Sequence, residues 1–74
     1  MFRFDFMTRT EFKKKFQARL KSARQSRHLT QLQLASITGL SPGWISHFEC
    51  GRRLPDAYAL YRLAQAVGAA TILS

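Results

Sequence analysis

The chain has 74 residues, 46% of them hydrophobic, with twelve Lys and Arg against four Asp and Glu, a formal charge of +8 and a pI near 10.9. That length makes one domain, too small for a deep enzyme cleft with its supporting core, and the charge points to a polyanionic partner. The single Cys50 excludes an internal disulfide and fits a reducing cytoplasm, no apolar run reaches membrane-spanning length, and the opening MFRFDFM with its Asp5 is not expected to act as a signal peptide.

Residues 2–6 alternate, with Phe2, Phe4 and Phe6 on one side and Arg3 and Asp5 on the other. That is the period of a short strand with one apolar face, or else a leader ahead of a start at Met7. A long helix follows. Thr8 with Glu11 spells a capping box and Met7 with Phe12 a hydrophobic staple. Phe12, Phe16, Leu20 and Ala23 recur every three or four residues and give this helix one apolar stripe. Its other faces carry Lys13, Lys14, Lys15, Arg19, Lys21 and Arg27, and most of the chain's basic residues lie between Arg9 and Arg27. A basic amphipathic helix also suits a membrane surface, but here the stripe is needed for the core and no membrane partner is expected. His28 at the helix end suits the dipole.

Residues 29–51, LTQLQLASITGLSPGWISHFECG, spell two short helices joined by a tight turn. Thr30 with Gln33 forms a second capping box, flanked by a Leu29–Leu34 staple. Gly39 suits the left-handed residue that closes the first helix. Ser41 caps the second, with Pro42 at its first position, where no N–H is needed, and Gly51 closes it. Helix, short turn and second helix are the layout that lays one helix in a DNA major groove. Beyond it, Arg52 and Arg53 sit in a loop that Pro55 ends, and Asp56 caps a last helix to about Val67 with Leu60, Leu63, Ala64 and Val67 on its buried face and Gly68 at its end. The tail AATILS contains the β-branched, apolar run Thr71-Ile72-Leu73, which has strand character.

Five segments in order, RLKSAR, LTQxxLA, GLSPGWIS, FExGRRxPD and LYRLAQAVG, resemble the Cro/C1-type helix-turn-helix family of phage repressors, bacterial regulators and antitoxins, from about Phe16 to Gly68. The resemblance implies an all-α fold of four helices, or an incomplete set of five, with short strands conceivable at the termini. The organisation expected is an arm over 1–7, the DNA-binding domain over 8–68 and a tail over 69–74. The family also implies an ion pair between Arg24 and Glu49 that fixes the second motif helix against the first long one.

A helical wheel puts Pro42, Gly43, Ser46, His47 and Cys50 in one arc and Ile45, Phe48 and Glu49 opposite, toward the core. Pro42, Gly43, Ser46 and His47 are therefore the expected base-reading face. Pro42 and Gly43 stand where phage repressors of the family carry base-reading glutamines, so His47 and Ser46 are the best base-edge candidates. Trp44, at the border of the arcs, reads as core edge or as a phosphate or thymine-methyl contact. Gln31, at the start of the first motif helix, matches a phosphate-holding position of the family; Arg52 and Arg53 complete the expected phosphate set. Cys50 replaces a residue that often touches phosphate, and little binding energy is expected from it.

The function expected is a cytoplasmic, sequence-specific regulator of double-stranded DNA, a repressor dimerising on a palindromic operator. The rival is an antitoxin-like module that covers a toxin or other acidic protein. No enzyme, metal or cofactor is implied, since the few acids, histidines and the cysteine are scattered without catalytic or metal spacing. Some antitoxin-like members of the family end in a strand that pairs with its two-fold mate, so Thr71, Ile72 and Leu73 are expected to form a dimer ribbon, the competing reading being a frayed tail on a monomer.

Overall fold

The computed structural model describes residues 7–73, which form five helices: α1 (Arg9–Ser26), α2 (Gln31–Thr38), α3 (Pro42–Glu49), α4 (Ala57–Val67) and α5 (Ala69–Leu73). The described residues contain no strand, so the domain is all-α. Phe2, Phe4 and Phe6, with the strand or leader read into them, lie outside the described residues.

Each of the first four helices starts where a side chain satisfies an orphan N–H. The Thr8 hydroxyl accepts from the Glu11 N–H at 3.1 Å, and the Thr30 hydroxyl from the Gln33 N–H at 3.0 Å. The box at Thr30 is closed by the Gln33 side chain, whose oxygen accepts from the Thr30 N–H at 2.8 Å. Ser41 accepts from the Trp44 N–H at 3.1 Å and Asp56 from the Ala59 N–H at 2.8 Å. Gly39 closes α2 with φ +74°, a conformation an L side chain resists by about 1–2 kcal/mol.

The end of α1 carries no such glycine. There the N–H of His28 bonds to the Gln25 carbonyl at 2.9 Å and that of Leu29 to the Arg24 carbonyl at 3.2 Å, the two bonds of a Schellman cap, and His28 occupies its left-handed position at φ 57°. The histidine is thus a strained cap. His28→Gly should raise stability by about 1 kcal/mol, the relief of strain exceeding the entropy of the extra glycine. A thermal melt reads this as a rise of about 4–8 °C; an unchanged or lower midpoint refutes it.

The core is one cluster. Phe16, Leu20 and Ala23 of α1 meet Leu34 and Ala35 of α2, Ile45 and Phe48 of α3, and Ala59, Leu63 and Val67 of α4. Phe12 and Leu60 are only partly buried at its edge, and Phe12 stacks on Phe16 with ring centroids 6.0 Å apart. Thr38 is buried without penalty because its hydroxyl donates to the Leu34 carbonyl at 2.8 Å.

The expected C-terminal ribbon is corrected by α5. Residues 69–73 turn at Gly68, whose φ is +93°, and form a short helix against α1 and α4. Ile72 is completely buried in the core, whereas Thr71 and Leu73 face outward. The physical reason is tertiary. A terminal strand needs a partner for its backbone groups, while a helical turn meets part of that need within the segment and drops Ile72 between two helices. Strand propensity over three residues is worth less than that burial.

Candidate nucleic-acid interface

The second motif helix, α3, is fixed by its inner face and leaves its outer face bare. Ile45, Phe48 and Glu49 are buried; Pro42, Gly43 and Ser46 are exposed and His47 is partly so. Glu49 is the anchor. Its carboxylate accepts from Arg24 Nε at 2.7 Å and from a terminal guanidinium nitrogen at 2.9 Å, a two-pronged ion pair whose side chains are 11% and 3% exposed. The hydrogen bonds to Glu49, and then its charge, hold the Arg24 guanidinium above its ordinary pKa although burial works the other way. The remaining nitrogen of Arg24 donates to the Leu29 carbonyl at 2.7 Å. One arginine on α1 therefore binds the entry to α2 and the end of α3 at once.

Gln31 joins the same network. Its side-chain amide donates to Glu49 at 3.2 Å, a contact the sequence does not announce because the two residues are 18 positions apart. One amide hydrogen is so engaged, and the other remains for a ligand at the start of α2.

On the outside, the loop after α3 is tied back to the helix. The His47 carbonyl accepts the N–H of Arg52 at 3.0 Å and that of Arg53 at 3.4 Å, so both arginines hang from the last turn of α3. Trp44 is 45% exposed. It stacks on Phe48 with centroids 5.9 Å apart and 30° between planes, meets His47 edge-on at 5.8 Å, and lies under the Arg53 guanidinium at 5.4 Å. Leu40, Leu54 and Tyr58 continue this surface into an open groove of about 410 Å³. Cys50 is exposed, its thiol directed at the His47 carbonyl.

The structure thus brings Arg24, Gln31 and Glu49 together inside and Trp44, His47 and Arg53 together outside. Arg52 is exposed beside them, and Thr71, Ile72 and Leu73 belong to α5. Sequence patterns do not reveal the Trp44–Arg53 contact; an aromatic and an arginine separated by a turn carry no fixed spacing. Among the described residues no group of His, Cys, Asp and Glu is placed to hold a metal ion, and no helix is long and apolar enough to cross a membrane.

Comparison with known proteins agrees with this geometry. The family described as "Helix-turn-helix domain" matches residues 16–72. The "ImmF control region 10 kDa protein" of Bacillus phage phi105 is 39% identical over 51 residues, covering 69% of this chain and 57% of that protein. An "uncharacterized HTH-type transcriptional regulator", y4dJ, of Sinorhizobium fredii is 42% identical over 45 residues, 61% of this chain and 58% of that protein. Among solved structures, the clp gene regulator ClgR from Corynebacterium glutamicum superposes with a TM-score of 0.72 at 30% identity, covering 81% of this chain and 64% of that one. The chain spans less than two thirds of the length of each of these relatives. With caps, core and relatives in agreement, the chain belongs to the helix-turn-helix domain family, in the Cro/C1-like arrangement its motifs resemble.

Proposed function

We propose that the chain is a cytoplasmic repressor that binds a palindromic operator as a homodimer, with α3 in the major groove of each half-site. The observation that carries this reading is the two-faced α3, anchored inside by Ile45, Phe48 and Glu49 and bare over Pro42, Gly43, Ser46 and His47. His47 and Ser46 supply the hydrogen-bonding groups for base edges, and Gln31, Arg52 and Arg53 face the phosphates, with Trp44 beside Arg53 at the edge of that surface. Dimerisation follows from the small footprint of one such unit, since two half-sites lie about 34 Å apart on one face of the duplex. The control-region relative from phage phi105 supports a regulatory role. No catalytic step is part of this reading. The rival, a module that covers an acidic protein such as a toxin, draws support from the exposed Tyr58 and Tyr61 on α4.

Selection of bound sequences from a random duplex pool tests the proposal. A palindromic logo is expected from the wild type, and His47→Ala should relax preference at one position per half-site with modest loss of overall affinity. No enriched sequence, or a logo untouched by His47→Ala, refutes the readout assignment.

Gly43 gives an independent test. No neighbouring atom lies within 4 Å of the place a Cβ would occupy, and its backbone is not left-handed. Nothing in the domain requires glycine there, and glycine in a helix costs about 0.5–1 kcal/mol relative to alanine. Its use is to let the α3 backbone approach DNA closely. Gly43→Ala should therefore raise the melting temperature while weakening operator binding; a gain in both would show that the bare backbone serves no contact.

A further inference from the structure

We propose that Trp44 is a positioning residue: its indole face holds Arg53 in the orientation in which Arg53 grips a DNA phosphate. The inference rests on the DNA-binding reading above and adds a device to it. Arg53 is fixed at both ends. Its backbone N–H bonds to the His47 carbonyl at 3.4 Å, and its guanidinium lies over Trp44 at 5.4 Å from the ring centroid. The ring itself is held by Phe48, whose buried side chain stacks against it with centroids 5.9 Å apart. Core, indole and guanidinium thus form a continuous column from the inside of α3 to its surface.

The chemistry of the support matters. Among the described residues no carboxylate pairs with Arg53. A carboxylate would orient an arginine by occupying its N–H donors and cancelling its charge, and both would then have to be surrendered to a phosphate. An aromatic face attracts the cation through its quadrupole and leaves the in-plane donors unused. A guanidinium stacked in this way is pre-ordered and still fully charged, so less side-chain entropy is lost when a phosphate arrives. Trp44 therefore acts through Arg53, and lysine at position 53, with no planar group to stack, is a poor substitute.

The test is a double-mutant cycle on binding to a short random-sequence duplex, with Trp44→Leu, Arg53→Ala and both. Leucine keeps apolar bulk over Phe48 and removes the π face; melting curves of each variant accompany the titrations. Trp44→Leu should weaken binding about 3-fold in the wild-type background, the size of an exposed cation–π contact, and have almost no effect once Arg53 is alanine. Trp44→Phe should recover most of the loss. As the chain has one tryptophan, Arg53→Ala should also shift the emission of the free protein by uncovering the indole. Additive losses in the cycle, or a leucine variant that binds as well as phenylalanine, overturn the positioning role while leaving DNA binding intact. A wild type that binds no duplex at low salt overturns the DNA-binding reading and this proposal with it.

Discussion

Arg24→Ala should cost this domain about 3–5 kcal/mol, a drop of more than about 12 °C in melting temperature for a chain of this size. The substitution strands the Glu49 carboxylate, 3% exposed, with only the Gln31 amide at 3.2 Å for company, and it also removes the donor from the Leu29 carbonyl. Three hydrogen bonds fail together. Glu49→Ala leaves the less buried partner behind, since the Arg24 side chain keeps 11% exposure, and its cost should be the smaller of the two. The pair together contributes far less than either loss suggests, because two charges had to leave water to form it. Arg24→Met combined with Glu49→Leu should therefore recover most of the stability lost by Arg24→Ala. Urea or thermal denaturation of the three variants decides the matter. Equal melting temperatures for Arg24→Ala and wild type would mean that the ion pair is solvated and does not hold α3.

The same network separates what a sequence reveals from what it conceals. The boundaries of α2 and α3 were legible because they are written locally: Thr30 with Gln33, Ser41 with Pro42, and Gly39 each act within one turn. The two faces of α3 followed from helical geometry and need no tertiary knowledge. Four features, of three kinds, were not legible. The Gln31–Glu49 bond and the Trp44–Arg53 stack join residues whose approach is set by how α2, α3 and the following loop pack. The left-handed cap at His28 lacks the glycine or asparagine that usually signals it. α5 is a third kind of failure. Five residues are too few to form a stable helix alone, and their β-branched composition suggests a strand. Only the slot that receives Ile72 decides for helix, and that slot is made by α1 and α4.

Operator affinity should fall steeply with salt, and Arg52 and Arg53 should account for most of the slope. The proposed reading face of α3 is poor in donors: Pro42 and Gly43 offer no side-chain hydrogen bond, which leaves Ser46 and His47 as the candidates for base edges. Phosphate contacts must then supply much of the binding. Each phosphate neutralised adds about 0.9 to the slope of log affinity against log salt. Two arginines from each protomer of a dimer give a slope of about −3.6, or about a 150-fold loss between 50 and 200 mM salt. Gln31 is neutral, so its contact adds affinity without adding to the slope. Arg52→Ala with Arg53→Ala should flatten the dependence toward zero and weaken all sequences alike, whereas His47→Ala should leave the slope unchanged and alter only the preference among sequences. Fluorescence anisotropy across a salt series measures both quantities. The informative contrary result is a steep slope that survives loss of both arginines, because the charge would then come chiefly from the basic face of α1, where Lys13, Lys14, Lys15, Arg19 and Lys21 are clustered. In that event the first helix, and not the loop after α3, carries the main phosphate contacts.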